Sequence, residues 1–68
     1  MFKANLFKAA LVEHGKTARE AAEAIGVNEA TLYRKMNGTS DFTRNEIQLI
    51  RQFLHLTTDD VERIFFAI

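Results

Sequence analysis

The strongest constraint in this sequence is the regular alternation of residues that start helices with residues that end them. Two Thr-x-x-Glu patterns, Thr17 with Glu20 and Thr43 with Glu46, match the capping box, in which each side chain bonds the other residue's backbone N–H. The three glycines of the chain each follow a helical run, at positions 15, 26 and 38, where helices commonly end. The chain is therefore expected to fold by packing several short helices together.

These signals predict five helices, over about residues 5–14, 18–25, 28–37, 44–54 and 58–67. Asn5 is a candidate cap for the first of them. Apolar residues recur at helical spacing in each run, which gives every helix one face for a common core. The predicted core residues are Phe7, Ala10, Leu11, Ala21, Ala22, Ile25, Leu32, Met36, Ile47, Ile50, Phe53, Leu54, Val61, Ile64, Phe65 and Ile68. With no proline and abundant alanine, glutamate and leucine, the composition also indicates one all-α domain over residues 1–68.

Several classes of protein are disfavoured by what the sequence contains. The chain has no cysteine, which excludes disulfides and thiolate metal sites. Its two histidines are far apart, and we find no nucleophile–base pair, phosphate-binding loop or zinc motif. No apolar run has the length of a membrane span or of a signal peptide. We therefore expect a soluble cytoplasmic protein that is not an enzyme and takes no cofactor, metal or small-molecule ligand.

The charge is balanced overall but unevenly distributed along the chain. The formal net charge is zero, which by itself disfavours a nucleic-acid partner. Residues 1–38 carry six Lys/Arg and four Asp/Glu, a net +2, whereas residues 39–68 carry three and five, a net −2. The first half is therefore suited to face an anionic partner while the second half faces away from it.

The second and third predicted helices are joined by about three residues that include Gly26, which is the spacing of a helix-turn-helix. With Leu32 turned inward, the outward face of the third helix is polar and rich in hydrogen-bonding groups. That face carries Asn28, Glu29, Ala30, Tyr33, Arg34 and Asn37. The turn is either an ordinary helix corner or a device that directs this face at a partner.

The segment TAREAAEAIGVNEATLYRKMNG resembles the Cro/CI-type helix-turn-helix of phage repressors and small bacterial regulators. The N-terminal MF, the NGTSDFT that follows the third helix, the EIQLI run and the VERIFF near the end extend this similarity. They resemble small phage-encoded repressor-like proteins of Gram-positive hosts. The resemblance implies a five-helix, lambda-repressor-like domain whose third helix enters the DNA major groove.

Carried over to this chain, the resemblance implies four residues that read bases: Glu29, Ala30, Tyr33 and Arg34. It implies that the sugar-phosphate backbone is held by Thr17, Asn28, Thr31, Asn37, Thr39 and Ser40. We expect Lys16, Arg19 and Lys35 to add positive charge to these phosphate contacts. Four of these residues have a plainer interpretation. Glu29 suits the positive end of a helix dipole, Tyr33 suits half-buried packing, and Arg34 with Lys35 suits a solvated surface pair.

Three positions depart from the family pattern. Ala18 stands where the family usually has a glutamine that grips a phosphate, and Asp41 lies in a loop that is often basic. Lys35 occupies a position that is apolar in many members, and we expect Met36 to make the core contact instead. These departures bear on the affinity for DNA more than on the way in which the domain would bind.

The C-terminal IFFAI contains two adjacent phenylalanines that cannot easily enter one small core together. Phe65 continues the apolar stripe, whereas Phe66 lies about 100° further around the helix. Two interpretations stay open. Phe66 either covers a gap beside the first helix or meets its own copy across a twofold axis.

The sequence thus predicts a sequence-specific regulator that binds a double-stranded DNA operator, in the manner of a Cro-like repressor of phage or prophage origin. The operator would be palindromic, and the protein would bind it as a homodimer that forms mainly on DNA. The alternative is a helix-turn-helix fold used as a protein-interaction module, of an anti-repressor or antitoxin-like kind. Neutral charge, Ala18 and Phe66 favour that alternative.

Overall fold

The computed structural model describes residues 1–67 and builds them from five α-helices. These are α1 Ala4–Glu13, α2 Ala18–Ile25, α3 Glu29–Met36, α4 Arg44–Phe53 and α5 Thr58–Val61, and α5 runs on as a π-helical turn, Glu62–Phe66. The five predicted helices and the all-α class are confirmed, although the second half of the fifth is π-helical rather than α-helical. Ile68, predicted for the core, lies outside the described residues.

A side-chain cap fixes the start of each of the helices α2, α3, α4 and α5. The two predicted capping boxes form, and the backbone N–H groups of Glu20 and Glu46 each donate to a threonine hydroxyl at 3.1 Å. A third box, Thr57 with Asp60, was not predicted as a box because its acid is an aspartate. The cap predicted at Asn5 is wrong, because α1 already begins at Ala4 and has no side-chain cap.

The helix ends share one backbone pattern but not one residue type. After α2, the N–H of Val27 donates to the Ala22 carbonyl at 3.0 Å, and Gly26 is left-handed with φ 77°. This is the Schellman arrangement, which favours glycine. α4 ends in the same way at His55, with φ 52°, the one non-glycine residue of positive φ among residues 1–67. The predicted end of this helix, at about residue 54, lies within one residue of the observed one, but its left-handed residue was not predicted because it is not a glycine.

The core gathers side chains from every helix. Phe7, Leu32, Ile50 and Leu54 are its largest fully buried members. Most predicted core residues are buried, whereas Ala10, Ile47, Phe53 and Val61 are only partly covered. The buried Leu56 and the partly buried Phe2 and Phe42 were missed, since all three lie outside the helices and follow no periodic pattern.

An aromatic cluster closes one end of this core. The rings of Phe2, Phe7, Phe42 and Phe65 pack with centroid separations between 4.8 and 6.4 Å, which is the usual range for aromatic pairs. The N-terminal segment is also tied to the C-terminal one, because the N–H of Lys3 donates to the Ile64 carbonyl at 2.7 Å. The α3–α4 connection and both ends of the described chain therefore meet in one place.

Candidate nucleic-acid interface

The turn between α2 and α3 is only three residues long, numbers 26–28. Asn28 ends it by capping α3, since its side-chain oxygen accepts from the Thr31 N–H at 2.8 Å. Leu32 is 0% exposed and Ala22 is buried opposite the turn. Because small and apolar side chains fill the inner side of both helices, α3 is fixed with the face opposite Leu32 turned outward.

The four predicted base readers share the outward face of α3. Glu29, Ala30, Tyr33 and Arg34 are all exposed, and Tyr33 as a whole residue is 43% exposed. Arg34 makes one side-chain hydrogen bond, from its Nη2 to the Thr31 hydroxyl at 3.2 Å. A guanidinium has five N–H donors, so most of this group's hydrogen-bonding capacity stays available to a ligand.

The residues predicted to hold phosphates surround this face. Arg19, Asn37, Thr39 and Ser40 are exposed, and Thr31 and Lys16 are partly exposed. The hydroxyl of Thr17 accepts from the Glu20 N–H and also lies 3.2 Å from the Glu20 carboxylate. That hydroxyl is already engaged, so the helix N–H groups that follow it are the donors that remain for an anion.

Lys16 is held in place by a contact that the sequence analysis did not predict. Its Nζ lies 5.4 Å from the centroid of the Phe53 ring, within the range of a cation–π interaction. The ring belongs to α4, so the ammonium group is anchored near the start of α2 rather than free in solvent. The aromatic residue was predicted as core, and no local pattern links it to a lysine so distant in the chain.

Lys35 does not belong to the exposed surface, where its predicted phosphate contact would require it to be. Its side chain is 10% exposed, and its Nζ lies 3.0 Å from Oε1 of Glu46, itself 13% exposed. The same ammonium donates to the Asp41 carbonyl at 3.0 Å. Met36 is buried beside it, as predicted. In this structure the ammonium of Lys35 is therefore engaged between α3 and α4 and is not presented with the exposed polar groups of α3.

The environment of Glu46 fits this pairing. Burial raises the pKa of its carboxyl, but hydrogen bonds from the Thr43 N–H and from Lys35, together with the lysine charge, outweigh burial and place that pKa below its ordinary value. One oxygen, Oε1, accepts from both the Thr43 N–H at 2.9 Å and the lysine. The helix cap and the ion pair therefore share an atom.

A family model described as helix-turn-helix matches residues 7–61, which takes in α2, the turn, α3 and α4. The chain belongs to the Cro/CI-type helix-turn-helix family. This confirms the predicted resemblance and identifies a DNA-binding helix-turn-helix domain. Searches of curated proteins and of solved structures found no match.

In this helix-turn-helix protein a second exposed feature lies away from α3. Phe66 is 53% exposed and borders a groove of 530 Å³ that is also lined by Phe42, Arg44, Ile47, Gln48 and Val61. A separate cleft lies beside α1, lined by Leu6, Ala9, Ala10, Glu13, Leu56, Asp60, Arg63 and Ile64. Phe66 does not line that cleft, but it borders a further one with Met1 and Phe2, just before α1.

Membrane spans and metal sites are two further features to consider in the described part of the helix-turn-helix chain. None of its helices has the length and apolar character needed to cross a membrane. Within residues 1–67, no three His, Cys, Asp or Glu side chains converge in a way that would hold a metal ion.

Proposed function

We propose that this protein is a sequence-specific transcriptional regulator that places α3 in the major groove of double-stranded DNA. One observation carries the proposal. In a chain of the helix-turn-helix family, Glu29, Ala30, Tyr33 and Arg34 are exposed together on α3, whose opposite side is buried through Leu32. An α-helix fits the major groove, where each base pair presents its own pattern of donors and acceptors.

The exposed side chains suit distinct base edges. Arg34 pairs its guanidinium with O6 and N7 of a guanine, and Glu29 accepts from a cytosine amino group. Ala30 contacts a thymine methyl group, and Tyr33 contacts a base or a neighbouring phosphate. The neutral net charge makes these contacts important, because a weakly charged protein gains less from phosphate attraction alone.

The surrounding polar residues hold the DNA backbone and set the register of α3. This group comprises Lys16, Arg19, Asn28, Thr31, Asn37, Thr39 and Ser40, and at Thr17 the helix N–H groups that follow take the place of the engaged hydroxyl. Lys16 and Arg19 contribute charge beside the start of α2, where the helix N–H groups face a phosphate. Lys35, which the structure places in the interior, is left out of this group.

The same proposal includes a homodimer on a palindromic operator, in the manner of a Cro-like repressor of phage origin acting in the bacterial cytoplasm. Phe66, exposed beside the groove of Phe42, Ile47 and Val61, would meet its copy across a twofold axis. Two recognition helices would then read half-sites about one DNA turn apart. Because one aromatic side chain covers little area, the dimer would form mainly on DNA.

The experiment that tests this proposal is selection from randomised duplexes, followed by binding of the enriched duplex at two salt concentrations. We expect a palindrome whose affinity falls with salt. Arg34→Ala should weaken the affinity for that palindrome by about 5- to 150-fold, which is the value of one bidentate base contact. Arg63→Ala, which removes the same charge from the C-terminal segment, is the matched control and should bind like wild type. Failure to enrich any sequence would overturn the proposal.

A second candidate function is a protein-interaction module, and the exposed Phe66 beside an apolar groove is the observation that favours it. It predicts no enriched duplex and only weak, sequence-independent DNA binding that Arg34→Ala leaves unchanged. Enrichment of a palindrome in the selection would argue against this candidate.

A further inference from the structure

We propose that Lys35 is a positioning residue for DNA reading, which holds α3 at the angle needed for base contacts without touching DNA itself. This inference rests on the proposed function and concerns the same surface. It assigns a role to the one charged side chain of the described chain that is buried.

The ammonium of Lys35 joins three separate parts of the fold. It extends from the last turn of α3 and lies 3.0 Å from the carboxylate of Glu46, in the first turn of α4. It also donates to the carbonyl of Asp41, in the α3–α4 connection, at 3.0 Å. The ring of Phe42, in the same connection, has its centroid 6.0 Å away. The reading helix, the connection and the next helix thus converge on one nitrogen.

Both partners of the ammonium are themselves fixed. The oxygen of Glu46 that faces Lys35 also accepts from the Thr43 N–H at 2.9 Å, so it belongs to the cap of α4. The connection is further tied to α3, because the N–H groups of Thr39 and Ser40 donate to the Arg34 carbonyl at 2.9 and 3.3 Å. A shift of the lysine would therefore move Arg34, its neighbour in the helix, together with two proposed phosphate contacts.

A buried ion pair such as that of Lys35 with Glu46 is suited to fixing the orientation of α3 more than to stabilising the fold. Replacing a buried ion pair with apolar residues of similar size is often neutral or stabilising, since the charges no longer have to leave water. Charge-assisted hydrogen bonds, in contrast, fix distance and direction closely. An apolar side chain at position 35 would fill the same space and leave the angle of α3 less defined.

The test uses the double variant Lys35→Met/Glu46→Gln in the full chain. Glutamine keeps the oxygen that caps Thr43, and methionine fills the space of the lysine stem without its charge. We expect the midpoint of urea unfolding to stay close to wild type. Affinity for the selected palindrome should fall about ten-fold, the loss expected when one base contact is misplaced. Affinity for an unrelated duplex should stay the same.

The salt dependence separates this role from a direct one. A phosphate ligand would weaken both duplexes alike and lower the slope of log affinity against log salt by about 1. A positioning residue weakens only the palindrome and leaves that slope unchanged. Lys8→Met, which removes an exposed lysine on α1, is the matched control and should retain the preference for the palindrome.

Each outcome decides between the proposals. If wild type selects a palindrome and the double variant binds both duplexes as wild type does, Lys35 is structural only and the inference is overturned. If wild type selects nothing, the proposed function fails and the inference falls with it. Should the double variant unfold, Lys35→Arg keeps a charge beside Glu46 but replaces the compact ammonium with a planar guanidinium, which changes the geometry of these contacts. It is expected to lose part of the discrimination, and full wild-type discrimination in it would overturn the inference.

Discussion

The α2–α3 unit and the C-terminal segment that runs from the end of α4 to Phe66 are built with the same local devices. Each starts a helix with a threonine capping box, at Thr17 and at Thr57, and each contains a left-handed residue after a helix, Gly26 or His55. They differ in what they expose. The first presents polar side chains on α3, and the second presents an aromatic ring beside an apolar groove.

This comparison separates what shapes a helix from what the helix can bind. Caps and left-handed residues fix where both regions begin and end, and they act entirely within the chain. The exposed residues contribute little to that shape and much to the choice of partner. Substitutions of the capping or left-handed residues should therefore change mainly the stability of the fold. Substitutions of the exposed residues should change mainly the binding of a partner.

The largest expected difference lies between a buried and an exposed side chain of the two regions. Leu32→Ala should lower the free energy of unfolding by about 3 kcal/mol, because Leu32 is fully buried and its removal leaves a cavity. Phe66→Ala should change it by less than about 0.5 kcal/mol, since half of the ring is already in water. Urea denaturation of both variants measures this. A large loss for Phe66→Ala would show that its ring belongs to the core.

The capping threonines give the next prediction. Thr17→Ala and Thr57→Ala should each lower the free energy of unfolding by about 1 kcal/mol, because each removes the hydroxyl that accepts a helix N–H. Only Thr17→Ala should also weaken DNA binding, since its helix start faces the proposed phosphate. Binding measured well below both unfolding midpoints tests this, and equal binding losses would remove the functional distinction between the regions.

Substitutions of the two left-handed residues that follow helices should change the free energy of unfolding in opposite directions. His55→Gly should raise the free energy of unfolding by about 0.5–1 kcal/mol, because glycine adopts positive φ without a Cβ clash. Gly26→Ala should lower it by about 1 kcal/mol for the same reason. No atom within 4 Å would contact a Cβ at Gly26, so backbone strain alone is responsible. Thermal unfolding of both variants checks the signs.

The smallest effect is expected from pH. Thr43 and Lys35 hold the pKa of Glu46 below its ordinary value of 4.5 despite burial. The stabilisation from a lowered acid pKa is complete above that ordinary value and is lost as pH falls through the folded-state pKa. The Tm should therefore stay level down to about pH 5 and then decline. Glu46→Gln should flatten part of the decline, and an identical decline in that variant would contradict the assignment.

The C-terminal region has its own acid in the same position of its box. The hydrogen bonds from the Thr57 N–H and hydroxyl hold the pKa of Asp60 below its ordinary value. The stabilisation that comes from Asp60 should therefore also be lost as the pH falls through its folded-state pKa. Measuring the Tm of Asp60→Asn and of Glu46→Gln over the same pH series shows how much of the decline in Tm comes from each of these two acids.

The sequence predicts most of the fold because the fold is specified locally. Thr17, Thr43 and Gly26 act on residues within five positions of themselves, and periodicity places Leu32 inward and Arg34 outward. His55 was missed because the left-handed conformation is imposed on it by the neighbouring chain and not by its residue type.

The interior position of Lys35 was missed for a different reason. Its partner Glu46 lies in another helix, and the pairing depends on how α3 and α4 pack, which no local pattern encodes. The phenylalanines at positions 2 and 42 were missed because they join the core from outside any helix. What sequence reasoning lacks in this protein is therefore the contact between elements, not the elements themselves.

The composition of the outward face of α3 has a consequence for fluorescence spectroscopy. The chain has a single tyrosine and no tryptophan, and that tyrosine, Tyr33, is exposed in the middle of α3. Excitation that selects tyrosine over phenylalanine therefore interrogates one position on one face. Quenching or polarisation of its emission would respond to whatever approaches α3, without any label attached to the protein.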